Sequence, residues 1–182
     1  NIGKVIKSVN AKAYYSYVDH LMTNTNRPSF NMMEAASNVD ATTTGGKVEL
    51  HWQPVKSLNI FSGIDMLNVT RDGNRERLVK VMNGNPLPQP MLFIDKVWQD
   101  SYINDLGVFT EAKYSVSPST ILTAGIRYDN VVSDIKDPEA DFEAMYDLEK
   151  RTEHNISATV SVKKIVSDNF TIEAAYGRGV RS

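Results

Sequence analysis

Thr44-Gly45-Gly46-Lys47-Val48-Glu49-Leu50-His51-Trp52, followed by Gln53-Pro54-Val55-Lys56-Ser57 and then Leu58-Asn59-Ile60-Phe61, is the stretch that decides the fold. Thr44, Gly46, Val48, Leu50 and Trp52 fall on one side of a two-residue period, and Gly45, Lys47, Glu49 and His51 on the other. In a strand, successive side chains point to opposite faces, so the segment reads as a strand with one apolar and one polar face. The link at 53–57 is short, and the alternation resumes beyond it, where Leu58, Ile60, Ile64 and Met66 share a face. Two such runs across a short link make an antiparallel hairpin.

The same period recurs outward in both directions. Val9, Ala11, Ala13, Tyr15 and Tyr17 oppose Asn10, Lys12, Tyr14 and Ser16. Tyr102, Leu106, Val108, Ala112 and Tyr114 oppose Gly107, Phe109, Glu111 and Lys113. Further runs put Leu122, Ala124, Ile126 and Tyr128, then Ile156, Ala158, Val160 and Val162, then Phe170, Ile172, Ala174 and Tyr176, on apolar faces. The links between runs come in two lengths. Those at 53–57, 117–119 and around Val166–Asn169 are short, and those near 19–41, 69–98 and 131–150 are long. The expected fold is all-β: antiparallel up-and-down hairpins, roughly seven strands, with short turns on one side and long loops on the other, as in the wall of a transmembrane β-barrel. Several aromatics sit near strand ends on the apolar face, where an interfacial girdle needs them. A partial, odd set of strands leaves two edges unpaired, so these strands are expected to form part of a larger wall.

Composition narrows the function classes. The 182 residues are 41% hydrophobic and 23% charged, with net charge −2, which gives no basic stripe for nucleic acid. No cysteine is present, so a disulfide framework, a cysteine-ligated metal and a thiol nucleophile are all out within this chain. No apolar run is long enough for a transmembrane helix, and a mean hydropathy of −0.33 is compatible with alternating membrane strands. The sequence opens on Asn1 and stops at Arg181-Ser182, and it is expected to be a piece of a longer protein. No nucleophile elbow, H-E-x-x-H or P-loop occurs, so no enzymatic activity is expected.

The closing octet Ala175-Tyr176-Gly177-Arg178-Gly179-Val180-Arg181-Ser182 resembles a mid-barrel strand end of TonB-dependent outer-membrane receptors. The alternation and loop asymmetry extend that resemblance over residues 1–182, read as a partial barrel domain without the plug or the TonB box. The resemblance implies a barrel of about 22 strands with a plugged lumen. It also implies the outer membrane of a Gram-negative bacterium, contact with lipid and lipopolysaccharide, and a TonB complex reached through parts outside this chain. Polar-face residues such as Lys47, Glu49, Glu111, Arg127 and Glu173 would then hold the plug or line the route.

A narrower resemblance lies in Tyr17-Val18-Asp19-His20-Leu21-Met22-Thr23-Asn24, with Met32-Met33-Glu34-Ala35 and Val39-Asp40-Ala41-Thr42-Thr43-Thr44-Gly45-Gly46. These segments are similar to the TonB-dependent copper receptors, in which an H-x-M pair on the barrel joins a C-x-x-x-M pair on the plug. His20 and Met22 match the H-x-M pair. Imidazole accepts either copper oxidation state and thioether sulfur favours Cu(I), while hard cations bind thioethers poorly. Residues two apart in an extended segment point the same way, so both ligands can reach one ion. Met32 and Met33 are weaker candidates for substrate contact, and as neighbours they diverge, so at most one joins His20. The expected cargo is copper, with no catalytic cofactor. The alternatives are an iron–siderophore receptor of the same family, which would lean on Arg71, Arg75 and Arg77, and a soluble β-sandwich that binds a partner. In the third long link, Phe142, Met145 and Leu148 recur at helical spacing among seven carboxylates from Asp134 to Glu149, so a short amphipathic helix is expected there.

Overall fold

A computed structural model describes residues 5–180. It is one seven-stranded antiparallel sheet in which every strand lies beside its neighbour in sequence. The strands are β1 (Ile6–Thr23), β2 (Met33–Val55), β3 (Leu58–Met82), β4 (Asn85–Ser117), β5 (Thr120–Ile135), β6 (Arg151–Ser167) and β7 (Phe170–Arg178). A 3-10 turn at Pro28–Asn31 and a helix α1 (Ala140–Met145) lie in the links. Arg181 and Ser182, the end of the octet motif, lie outside the described residues.

Register carries the alternation across the whole sheet. Val9 pairs with Leu50, Val48 with Ile64, Ile64 with Val108, Val108 with Tyr128, Tyr128 with Ile156 and Val160 with Tyr176. Directly opposed residues share a face, so these side chains form one continuous apolar band. The band is uncovered: Ile64 is 53% exposed and Tyr176 is 74% exposed. Among the described residues only Val39 and Val131 are buried apolar side chains, and both lie on the opposite face. A soluble sandwich would stack a second sheet on the apolar face. The described residues form no second sheet.

The short links are as expected and each has a mechanical consequence. Lys56-Ser57, Pro118-Ser119 and Asp168-Asn169 all lack the positive φ of the favoured hairpin turns. The ladder adjusts beside each, with register shifts at Trp52/Val55, Ser115/Ser117 and Ile165/Ser167. Two of the turns are also tied to the next hairpin, since the Ser57 carbonyl accepts from the Ser115 N–H and the Ser119 carbonyl from the Ile165 N–H, each at 2.8 Å.

Two of the three long links are not loops over their full expected length. Residues 19–23 and 33–41 continue β1 and β2, leaving a nine-residue link at 24–32. The Asn24 side chain fastens its base, donating to the Met33 carbonyl at 2.7 Å and accepting from the Ala35 N–H at 2.8 Å. The stretch 69–98 is a long hairpin closed by Asn83-Gly84, with φ of 52° and 81°. Two consecutive positive φ values make the type I′ turn whose twist matches its flanking strands. Val81 pairs with Pro86 and Val79 with Met91, so residues 87–90 arch out of the ladder. Pro88 and Pro90 have no N–H to contribute there. The third link keeps its loop character and carries a short helix that takes in Phe142 and Met145 but ends before Leu148, with Phe142 packed on Tyr146 at 4.7 Å between ring centroids.

Gly84 has open space around its missing Cβ, so only backbone conformation restricts a replacement. Gly84→Val is expected to destabilise the hairpin tip by about 1–2 kcal/mol. Amide hydrogen exchange on the full-length protein should then accelerate across residues 78–94 and stay unchanged in β5 and β6.

Candidate functional site

The polar face of the sheet is built around glycines. A Cβ at Gly45 would collide with the Tyr14 ring, at Gly63 with the Phe109 ring, and at Gly107 with the Arg127 guanidinium. Each missing side chain lets a long neighbour lie flat across the strand. Arg127, laid over Gly107, reaches Asp65 two strands away through paired bonds of 2.7 and 2.9 Å, and Asp129 at 2.5 Å. Lys47 pairs with Glu49 at 2.9 Å and sits 4.5 Å from the Phe109 ring centre. Glu111 pairs with Lys113 at 3.0 Å. Four of the expected lining residues, Lys47, Glu49, Glu111 and Arg127, are therefore held in ion pairs on this face, and Glu173 lies opposite Lys163 on the same side. His51 accepts a structural role, with Nε2 2.9 Å from Asn59 Oδ1 and its ring stacked on Phe61 at 4.5 Å. On the apolar face, His154 Nδ1 lies 2.7 Å from the Tyr128 hydroxyl. That pair has the amphipathic character of an interfacial contact.

His20 and Met22 lie on β1 near the loop end, opposite Val39 and Ser37. Counting in twos from Lys12 places both on the polar face, the face of Lys47 and Arg127. Both are exposed, and the neighbours across β2 on that face (Ala35, Ser37, Val39, Ala41) are small. Met33 begins β2 and shares the face, two same-face positions beyond Ser37. At about 3.3 Å per residue that is roughly 13 Å along the strand from the Met22 row, outside a site centred on His20 and Met22. Met32 lies in the preceding link, where its carbonyl accepts the N–H groups of Lys80 at 2.9 Å and Val81 at 3.2 Å. Among the described residues no group of three or more His, Cys, Asp or Glu is gathered for a metal.

The arginines expected on a loop stand in the β3–β4 hairpin instead. Arg75 and Arg77 converge on Asp95 from the neighbouring strand, with Arg77 Nε at 3.0 Å and Arg75 closer still. The Arg75 hydrogen bond holds the Asp95 carboxyl below the usual carboxylate range, against the opposing effect of its partial burial. Arg71 lies instead against Trp98, 5.0 Å from the indole centre. Beside them, the bulge around Gln99 and Asp100 clamps the third link. Gln99, only 7% exposed, accepts from the Glu139 N–H at 2.7 Å, and the Lys96 N–H donates back to Glu139 Oε1 at 2.9 Å. The Lys96 ammonium also bonds Asp137, which raises its pKa. None of these clamps was legible in the sequence, because each joins residues about forty apart. The longest hairpin is missed when 69–98 is read as a loop, although Asn83-Gly84, the dipeptide that closes it, is the turn signal that would have found it.

An unclosed seven-stranded meander, apolar outside and ion-paired across glycines inside, is the wall of a barrel. Residues 4–182 match the family "TonB dependent receptor-like, beta-barrel". The chain belongs to that family. Among solved structures it resembles the copper transporter OprC, with TM-score 0.76 and 22% identity over 97% of this chain and 27% of that one. It also resembles the siderophore receptor PiuA from Acinetobacter baumannii, with TM-score 0.66 and 12% identity over 97% of this chain and 30% of that one. The chain therefore spans less than a third of either relative, and the likenesses establish a shared fold. No curated protein sequence matches it.

Asp95 makes the hairpin sensitive to acid. Its folded pKa lies below the unfolded value of about 3.9, so its contribution to stability is present above that value. It is lost as pH falls through the lower folded pKa. Side-chain NMR of the full-length receptor should place the Asp95 midpoint below the ordinary carboxylate range. Arg75→Ala should move that midpoint upward and quicken amide exchange at residues 91–95.

Proposed function

We propose that this chain is part of the barrel of an outer-membrane active importer in a Gram-negative bacterium, and that its cargo is copper. In this reading residues 1–182 are a partial barrel domain, and the plug and TonB-contacting segments belong to the rest of the protein. The barrel performs no bond chemistry. The observation that carries the copper reading is the placement of His20 and Met22. They stand exposed, side by side, on the polar face near the loop end, with small residues opposite. The likeness to a copper transporter supports the same choice. One imidazole and one thioether leave a copper ion under-coordinated, so the remaining ligands come from the plug. Capture at the mouth is followed by TonB-driven displacement of the plug and release inward.

Met33 faces the same side about 13 Å further along, on the approach to the pair. It serves as a weak contact for arriving metal, and Met32 sits beside it in the link. The apolar band meets lipid, and the loop end meets lipopolysaccharide. A second reading, import of an iron–siderophore, draws on the arginine-rich β3–β4 hairpin and the likeness to PiuA.

The test uses the full-length receptor. His20→Ala with Met22→Ala should abolish copper retention through gel filtration while leaving the barrel folded. Retention of copper by the double variant would overturn His20 and Met22 as the copper site, and retention of an iron chelate with no copper at all would transfer the assignment to the second reading.

A further inference from the structure

A cavity of about 310 Å³ lies where the end of the third link folds over the polar face of β3, β4 and β5. That volume is at the lower end of small-molecule sites. Val69, Ile103, Ile135 and Leu148 supply apolar wall, and Trp98 adds an aromatic surface that is 39% exposed. Besides Asp134, four charged side chains line the same cavity: Arg71 and Arg151, Asp147 and Glu149. They are two of each sign, yet among the described residues no ion pair joins them. Several other charged side chains of this region are paired. Arg75 and Arg77 close on Asp95, Lys80 on Glu34, and Lys96 on Asp137. Asp134, which also borders the cavity, is already engaged by the Ile135 N–H at 2.8 Å and the Tyr102 hydroxyl at 3.5 Å.

Opposite charges that line one partly apolar cavity without pairing are complementary to a ligand that brings both signs. Arg71 is prepared for the anionic end. Its guanidinium carbon lies 5.0 Å from the indole centre of Trp98, and a guanidinium on an aromatic ring keeps edge N–H donors for a carboxylate. Asp147 and Glu149 offer acceptors to an ammonium group. The base of the covering segment is fixed by the Gln99–Glu139 and Lys96–Glu139 bonds, so the acidic side of the cavity is presented by an anchored link.

We propose that this cavity binds a small zwitterion of the amino-acid type, with its carboxylate on Arg71, its ammonium on Asp147 and Glu149, and its apolar side chain against Trp98 and Leu148. The site is separate from the copper pair and does not rest on that reading. Arg71 lies two strands across from His20 and one same-face position nearer the turns, about 12 Å away.

The experiment is calorimetric titration of the full-length receptor, stripped of metal by chelator, with L-phenylalanine, phenylacetate and phenethylamine. Phenylalanine should saturate the receptor at or below about 1 mM, and each single-charge probe should bind roughly tenfold more weakly or worse. Arg71→Ala and Glu149→Gln should each weaken phenylalanine by about tenfold without changing copper retention. Three outcomes overturn the proposal: no saturable phenylalanine binding, phenylacetate binding as tight as phenylalanine, or full affinity in Arg71→Ala. The probe comparison on the unaltered receptor needs no variant to fold.

Discussion

Hydrocarbon offers a peptide group nothing to hydrogen-bond, so a chain that crosses a bilayer as strands must satisfy its backbone with other strands and turn only apolar side chains outward. Every regular feature of this sheet follows from that constraint. The ladder is continuous from β1 to β7, and the register never slips by one residue within the central stretches, because such a slip would turn a charged face to lipid. The irregularities fall elsewhere, beside the short turns and in the hairpin around Arg71–Asn74 and Val79–Val81.

The opposite face obeys a different rule. It is polar and enclosed in the family's barrels, so charges there must be neutralised locally. Glycine does much of that work, since Gly107 lets Arg127 lie flat and reach both Asp65 and Asp129. The same device seats Tyr14 over Gly45 and Phe109 over Gly63. Substitution at these positions would displace an ion pair or an aromatic ring, so small residues and long charged ones are coupled across strands.

The faces of the strands were legible from the sequence because one continuous apolar band across the sheet imposes a strict period. The elongation of β1 through β4 past the band was not. Arg71-Asp72-Gly73-Asn74-Arg75-Glu76-Arg77 is polar on both faces, as a strand with water on both sides can be, and period-2 reasoning has nothing to detect there. Its strand character comes from Asn83-Gly84 and from pairing with β2 and β4. The His20–Met22 pair was visible as spacing, and the structure adds the face it shares with Lys47 and Arg127. The Arg71–Trp98 stack and the Gln99 clamp were invisible because each depends on a bulge that shifts the partner's register.

The central claim is that one face meets lipid and the other an enclosed polar interior. This chain has no cysteine, so once any cysteine elsewhere in the full-length receptor is replaced, spin labels at single introduced cysteines along residues 104–112 report each position. The account predicts a two-residue period in bilayers, with 106, 108 and 112 accessible to dissolved oxygen and 105, 109 and 111 shielded from it. A flat profile, or one in which the apolar register is reached by water-soluble relaxants instead, would contradict it.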